Sequence, residues 1–158
     1  MTVTVITVGS LKESYLREAV AEYKKRISQY ARVDEVDIAE VRISNEDDSR
    51  EIERALDAEA GKILAAIPQG AYTIALCVEG KELSSEGLAE VVGRCEDESG
   101  KLALIIGSSH GLSPKVKAAA GLKLSFSRLT FPHQLIRVNL YEAIYRSFTI
   151  LHKKRYHK

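Results

Sequence analysis

Short apolar runs alternate along this chain with longer segments in which apolar side chains recur every three or four residues. The runs predict strands from Thr2 to Val8, Val33 to Ile38, Tyr72 to Val78, Leu102 to Ile106 and Leu122 to Phe126. Their unbroken apolar centres, such as Leu102-Ala103-Leu104-Ile105-Ile106, predict burial on both faces, as in a parallel sheet. Helical spacing fills the gaps: Ser14 to Tyr30, Ser49 to Ile67 and Ser84 to Glu98 each begin at a candidate capping serine. Ser113-Pro114 opens a short helix with proline in its first turn. The last helix, Pro132 to Leu151, aligns Ile136, Leu140, Ile144, Phe148 and Leu151 on one apolar face, leaving Arg137, Tyr141, Glu142, Tyr145 and Arg146 off it. The order βαβαβαβαβα predicts an α/β fold, a mostly parallel sheet with helices on both faces.

In such folds ligands bind beyond the carboxyl ends of strands. Three loops leave those ends: Glu79-Gly80-Lys81, Gly107 to Leu112, and Ser127 to Phe131. The third is the most informative. A strand there breaks into a polar turn whose backbone groups neither sheet nor helix satisfies, and the next helix aims its positive N-terminus at the same point. In the second loop, Gly107-Ser108-Ser109-His110-Gly111 fits the G-x-S-x-G nucleophile elbow after a strand. An elbow starts its helix directly after the serine, whereas this helix begins at Ser113-Pro114, so a hydrolase using Ser109 is the weaker enzymatic reading. Neither Gly80-Lys81 nor Gly100-Lys101 has the flanking residues of a phosphate-cradling Walker loop. The four histidines lack metal-ligand spacing, so no metal is expected.

Size and composition fit one domain: 158 residues, 45% apolar and 28% charged, enough to fold around a core without disulfide or metal. Residues 1–151 are assigned to that domain and 152–158 to a basic tail. The absence of any apolar run near the roughly 18 residues needed to span a bilayer, and of a signal-like start, places the protein in the cytoplasm with no membrane partner. Cys77 and Cys95 are read as reduced, small apolar residues. The formal net charge is only +1, yet four of the 23 Lys and Arg lie in His152-Lys153-Lys154-Arg155-Tyr156-His157-Lys158, leaving 19 against 22 acids before it. An acidic body thus ends in a basic arm. Taken alone, such a run reads as a solvated terminus; the interleaved Tyr and His favour contact with a polyanion.

Ile106-Gly107, Gly111-Leu112, Leu124-Ser125 through Arg137, Tyr145-Arg146 and the closing Tyr156-His157-Lys158 together resemble the bacterial ribosomal large-subunit RNA methyltransferase H family, of the SPOUT class. The similarity spans nearly the whole chain. Its most specific parts are Leu124-Ser125-Phe126-Ser127, Leu129-Thr130-Phe131-Pro132-His133-Gln134 and the terminal Tyr-His-Lys. The resemblance implies a homodimer with a C-terminal trefoil knot, a topology that general folding rules treat as exceptional. It further implies transfer of a methyl group from S-adenosylmethionine to N3 of a pseudouridine in a stem-loop of 23S rRNA, on the assembled ribosome and not on DNA. Carried onto this sequence, the cofactor pocket would use Leu76, Gly107, Phe126, Ser127, Arg128, Leu129, Thr130 and Phe131.

Methyl transfer from a sulfonium needs an in-line nucleophile freed of its proton, so positioning should dominate. Holding a base outside its stack calls for stacking and backbone contacts. Tyr156 is the candidate stacking residue, His157 the group that accepts the N3 proton or orients the uracil carbonyls, and Arg146 the group that meets negative charge developing on those carbonyls, with Glu142 counted beside them as a catalytic candidate. Arg137, Lys153, Lys154, Arg155 and Lys158 are the candidate RNA-contacting cations. Each role has a plainer counterpart. Arg146 is equally placed to pair with Glu142 one helical turn earlier, His133 reads as structural, and Tyr141 and Tyr145 read as packing residues.

Two regions depart from the family pattern. Ser108 stands where a second glycine usually follows Gly107, and would strain the loop if that position required positive φ. Lys153 and Arg155 stand where the family's tail usually carries Gly and Pro, which makes this tail more basic. A nonenzymatic RNA- or ribosome-binding module that has lost cofactor affinity remains the alternative of a different class, with Ser108 as its support.

Overall fold

The computed structural model describes residues 1–157. Five strands form one sheet: β1 Thr2–Val8, β2 Arg32–Ile38, β3 Tyr72–Glu82, β4 Lys101–Ile106 and β5 Leu122–Ser125. They lie in the order β2-β1-β4-β3-β5, and every pairing is parallel. Between them run α1 Ser14–Ile27, α2 Ser49–Ala66, α3 Ser85–Glu98 and α4 Pro114–Ala119, with α5 His133–Leu151 closing the order.

Strand side chains project to alternate faces, so the sheet separates two cores. On one, Val3 and Val5 of β1 and Leu102, Leu104 and Ile106 of β4 pack with Val20 of α1, Val92 of α3 and Leu140, Ile144 and Phe148 of α5. On the other, Ile6, Val8 and Ile105 meet Ala60 and Ile63 of α2 and Val116 of α4. Helices thus cover both faces of an all-parallel sheet, as the apolar runs predict.

The caps differ in part from the serine expectation. Ser84 does cap α3, its hydroxyl accepting from the Gly87 N–H at 3.0 Å. In α2 the cap moves one residue back to Asp48, whose carboxylate accepts from Arg50 N–H at 2.9 Å and Glu51 N–H at 3.4 Å. The start of α1 has no side-chain cap. Instead Arg17 donates to the carbonyls of Leu11 and Lys12 and ties down the loop before the helix.

β3 runs longer than its apolar centre. Its pairing with β5 breaks between Leu76 and Lys81, both of which register with Leu124. Residues 77–80 therefore bulge out of the ladder. Gly80 makes this possible, because a Cβ there would lie 2.6 Å from the Leu124 carbonyl carbon.

α5 ends in a two-bond cap: Lys153 N–H donates to Ile150 O at 3.1 Å and Lys154 N–H to Thr149 O at 2.8 Å. Lys153 adopts φ 51°, the left-handed conformation that this motif gives to glycine. Lys153 is thus a lysine held in a glycine's conformation.

Candidate active site

A cavity of about 530 Å³ opens where β3, β4 and β5 end, within the range of cofactor pockets. β3 supplies Leu76 and, from its bulge, Cys77; the β4–α4 loop supplies Gly107 through Leu112, and Phe126, Ser127 and Leu129 to Pro132 close the third side. All three strand-end loops singled out in the sequence contribute. Among the anticipated cofactor residues, Leu76, Gly107, Phe126, Ser127, Leu129, Thr130 and Phe131 line the cavity. Arg128 does not: its side chain is 97% exposed and its Nε lies 3.9 Å from Glu82. The turn sets Leu129 at the cavity, still mostly exposed, and leaves its neighbour Arg128 wholly in solvent. Within that turn, Leu129 N–H donates to Ser127 Oγ at 3.0 Å and Ser125 Oγ donates to Ser127 O at 3.1 Å.

Gly107 is required by close approach. A Cβ there would sit 2.2 Å from the Gly111 carbonyl oxygen and 2.6 Å from its carbon. Gly111 carries the positive φ, 86°, whereas Ser108 is not among the residues of positive φ. Ser108 therefore imposes no left-handed strain. It is buried, with its hydroxyl accepting from His110 N–H at 3.3 Å.

Other lining residues lay outside the sequence expectation. Lys117 reaches the rim from α4 and pairs with Glu79, and the hydrogen bond from Lys117 holds the Glu79 carboxyl below its ordinary range. Ile136, assigned by spacing to the packing face of α5, also meets the cavity, as does Cys77, whose thiol burial pushes up. Their signal was the loops themselves, since Glu79 and the β4–α4 loop flank these positions. Ser109 Oγ lies 3.3 Å from His110 Nδ1, but the two are chain neighbours and α4 starts only at Pro114, which is not an elbow.

The tail folds back on α5 and α3. Glu142 Oε1 accepts from Arg146 Nε at 3.0 Å and Nη2 at 2.6 Å, and from the Tyr156 hydroxyl at 3.1 Å. The Arg146 guanidinium lies 4.9 Å from the Tyr156 ring centroid, and its Nη1 is 3.2 Å from His157 Nδ1. Tyr145 meets Tyr156 edge-on at 4.8 Å. The hydrogen bond with Glu142 raises the Arg146 pKa, and burial foremost pushes Tyr156 up to about 12. The ordinary helical pair and the anticipated catalytic group therefore share one geometry. Glu142, Arg146, Tyr156 and His157 come together, but none of them lines the cavity of their own chain.

Arg137 departs from the expectation of an RNA contact. It is 5% exposed, donates from Nη2 to Gly9 O at 2.9 Å and lies 3.6 Å from Asp37. Burial lowers its pKa. It fastens α5 to the ends of β1 and β2, because the helix turns this position toward the sheet. Tyr141, also off the apolar stripe, is buried and donates to Glu35 at 2.5 Å. Lys153, Lys154 and Arg155 are exposed; Lys158 lies outside the described residues.

A parallel α/β sheet with a roomy cavity over its strand ends, walled by glycine-dependent backbone and apolar side chains, defines a cofactor-binding enzyme of the layered α/β class. A family model described as predicted SPOUT methyltransferase matches residues 1–157. Proteins named ribosomal RNA large subunit methyltransferase H share 46% identity from Caldicellulosiruptor bescii and 44% from Caldicellulosiruptor saccharolyticus, each over 99% of both chains. The protein of that name from Bacillus pumilus shares 42% over the full length of both. The chain belongs to the SPOUT methyltransferase family, enzymes that take their methyl group from S-adenosylmethionine. Membership carries the family's C-terminal trefoil knot and removes both the hydrolase and the nonenzymatic readings.

The cavity fits that cofactor on its own terms. Gly107 and Gly111 let the β4–α4 loop close tightly on itself at the cavity wall, and the apolar side chains of Leu76, Leu129 and Phe131 along the cavity suit an adenine face. When bound, S-adenosylmethionine supplies a methyl group on a sulfonium.

Proposed function

We propose that this protein methylates N3 of a pseudouridine in a stem-loop of 23S rRNA on the assembled ribosome, as a cytoplasmic homodimer whose active sites each draw on both subunits. Leu76, Gly107 and the segment Phe126 to Phe131, Arg128 excepted, hold the cofactor. Tyr156 stacks on the target base, Arg146 meets the uracil carbonyls, and His157 takes the N3 proton as the methyl carbon leaves sulfur for nitrogen. Lys153, Lys154 and Arg155 contact phosphates. The likeness to full-length relatives bearing the rRNA methyltransferase name supports the substrate.

One observation carries the composite site: the tail cluster and the cofactor cavity of a single chain do not meet. Leu129 and Leu135, 74% and 41% exposed beside Phe131, offer an apolar surface for the second subunit. Mixing tests this reading. Assayed at S-adenosylmethionine well below the Kd of the Gly107→Ala protein, a chain truncated after Leu151 and a full chain carrying Gly107→Ala should each be inactive or nearly so as homodimers, and co-refolding them should restore transfer. Two inactive parents whose mixture stays inactive, although heterodimers form, would contradict it.

A further inference from the structure

Glu86 had no role in the sequence reading, yet it is the acid that meets His157. It stands in the first turn of α3, and its Oε1 lies 2.7 Å from His157 Nε2. The opposite ring nitrogen, Nδ1, lies 3.2 Å from Arg146 Nη1. These two contacts fix the tautomer. A guanidinium only donates, so Nδ1 is the accepting nitrogen; a carboxylate only accepts, so Nε2 carries the proton. His157 is thus held between an acceptor on α3 and a donor on α5, and its basic lone pair is the one that Arg146 covers. The Glu86 carboxyl is held below its ordinary range by its own backbone N–H and then by His157, which keeps it anionic at neutral pH.

We propose that Glu86 is a positioning residue for methyl transfer: it locks His157 as the Nε2–H tautomer and presents Nδ1 as the proton acceptor. This rests on His157 accepting the N3 proton. When Arg146 turns its N–H groups to the uracil carbonyls, Nδ1 is released. The N3–H bond then breaks toward Nδ1 while N3 bonds the methyl carbon and the carbon–sulfur bond breaks. The resulting imidazolium keeps its Nε2–H on the Glu86 carboxylate, as an acid orients and stabilises a histidine base in serine proteases, although the Glu86 side chain is here 59% exposed.

The test measures single-turnover methylation of ribosomes from cells lacking this protein, at saturating S-adenosylmethionine, for the wild type, His157→Ala, Glu86→Ala and Glu86→Gln. Cofactor affinity and the His157 ring N–H in nitrogen-edited NMR spectra are recorded alongside. Glu86→Ala should slow transfer by about tenfold, as loss of orientation does, leave cofactor affinity unchanged, and lose the protected ring N–H. Glu86→Gln, which keeps an accepting oxygen, should retain that signal and recover part of the rate. If His157→Ala is slow but Glu86→Ala transfers at full rate, the positioning role is overturned and the base survives. If His157→Ala itself transfers at full rate, the base and with it this role are overturned. A Glu86→Ala variant that loses cofactor affinity in step with its rate marks Glu86 as a structural element of α3 and also overturns the proposal.

Discussion

Replacing Gly107 with alanine isolates the wall of the cofactor cavity. The new Cβ would stand 2.2 Å from the Gly111 carbonyl oxygen and 2.9 Å from Leu112 Cγ, where separations under 3.0 Å are not sustained. The Gly111 carbonyl must therefore retreat by at least 0.8 Å, the difference between 3.0 and 2.2 Å. Overpacking of this kind costs about 1–3 kcal/mol, which lowers Tm by roughly 2–4 °C per kcal/mol in a chain of this size. A displacement approaching 1 Å in a binding wall costs about tenfold or more in ligand affinity. Calorimetric titration with S-adenosylmethionine, on protein shown to be folded by its melting curve, reads the effect. Gly61→Ala is the control: Gly61 lies within α2 with nothing within 4 Å of a Cβ, so the change should stabilise by about 0.5–1 kcal/mol and leave cofactor affinity unaltered. A Gly107→Ala protein whose Kd stays within about twofold of wild type, well under 1.4 kcal/mol, would refute the placement of this loop against the cofactor.

Further outcomes follow from single positions. Lys153→Gly relieves a left-handed lysine and should raise stability by about 1 kcal/mol in thermal unfolding; a lower Tm would contradict the cap geometry at the end of α5. Arg137→Met removes the donor to Gly9 O and should cost about 1–3 kcal/mol, and a variant of unchanged Tm with weakened RNA binding would restore the surface role. The Glu35 carboxyl is pushed up by burial, but hydrogen bonds from Lys24 and Tyr141 outweigh this and hold its pKa below the ordinary 4.5. Because the folded pKa is the lower one, the stabilisation is present above about pH 4.5 and is lost as pH falls through the folded value. Glu35→Gln should therefore be less stable than wild type at pH 7 and converge with it in acid, as measured by urea unfolding across pH; parallel curves would contradict the network.

Regular pattern carried most of the fold in the sequence. Unbroken apolar runs such as Leu102 to Ile106 announce a strand buried on both faces, and the three loops after strands located the cavity walls. Less was legible where side-chain direction depends on packing. Arg137 looks like a surface residue because it lies off the stripe of Leu140, Ile144 and Phe148, whereas Tyr141, also off it, reads as a packing residue and is buried. α5 is nevertheless packed by α1 and α3 and by the ends of β1 and β2, so its buried arc is wider than one stripe. Arg128 illustrates the opposite limit, since a motif read as a block hides the residue within it that does not reach the cavity. Glu86 was invisible because its partner is 71 residues distant in sequence, and no local spacing records such a meeting. Lys153 shows what structure adds to a departure from pattern: the glycine conformation persists without the glycine.

The most direct measurement of the central claim is incubation of ribosomes and of free 23S rRNA, both from cells lacking this protein, with labelled S-adenosylmethionine and the intact enzyme, followed by mapping of the labelled base. Label at N3 of a single pseudouridine in a 23S stem-loop, on ribosomes in preference to free RNA, is the predicted result. Folded protein that binds S-adenosylmethionine yet leaves the ribosome unlabelled, or labels a different atom, would contradict the account.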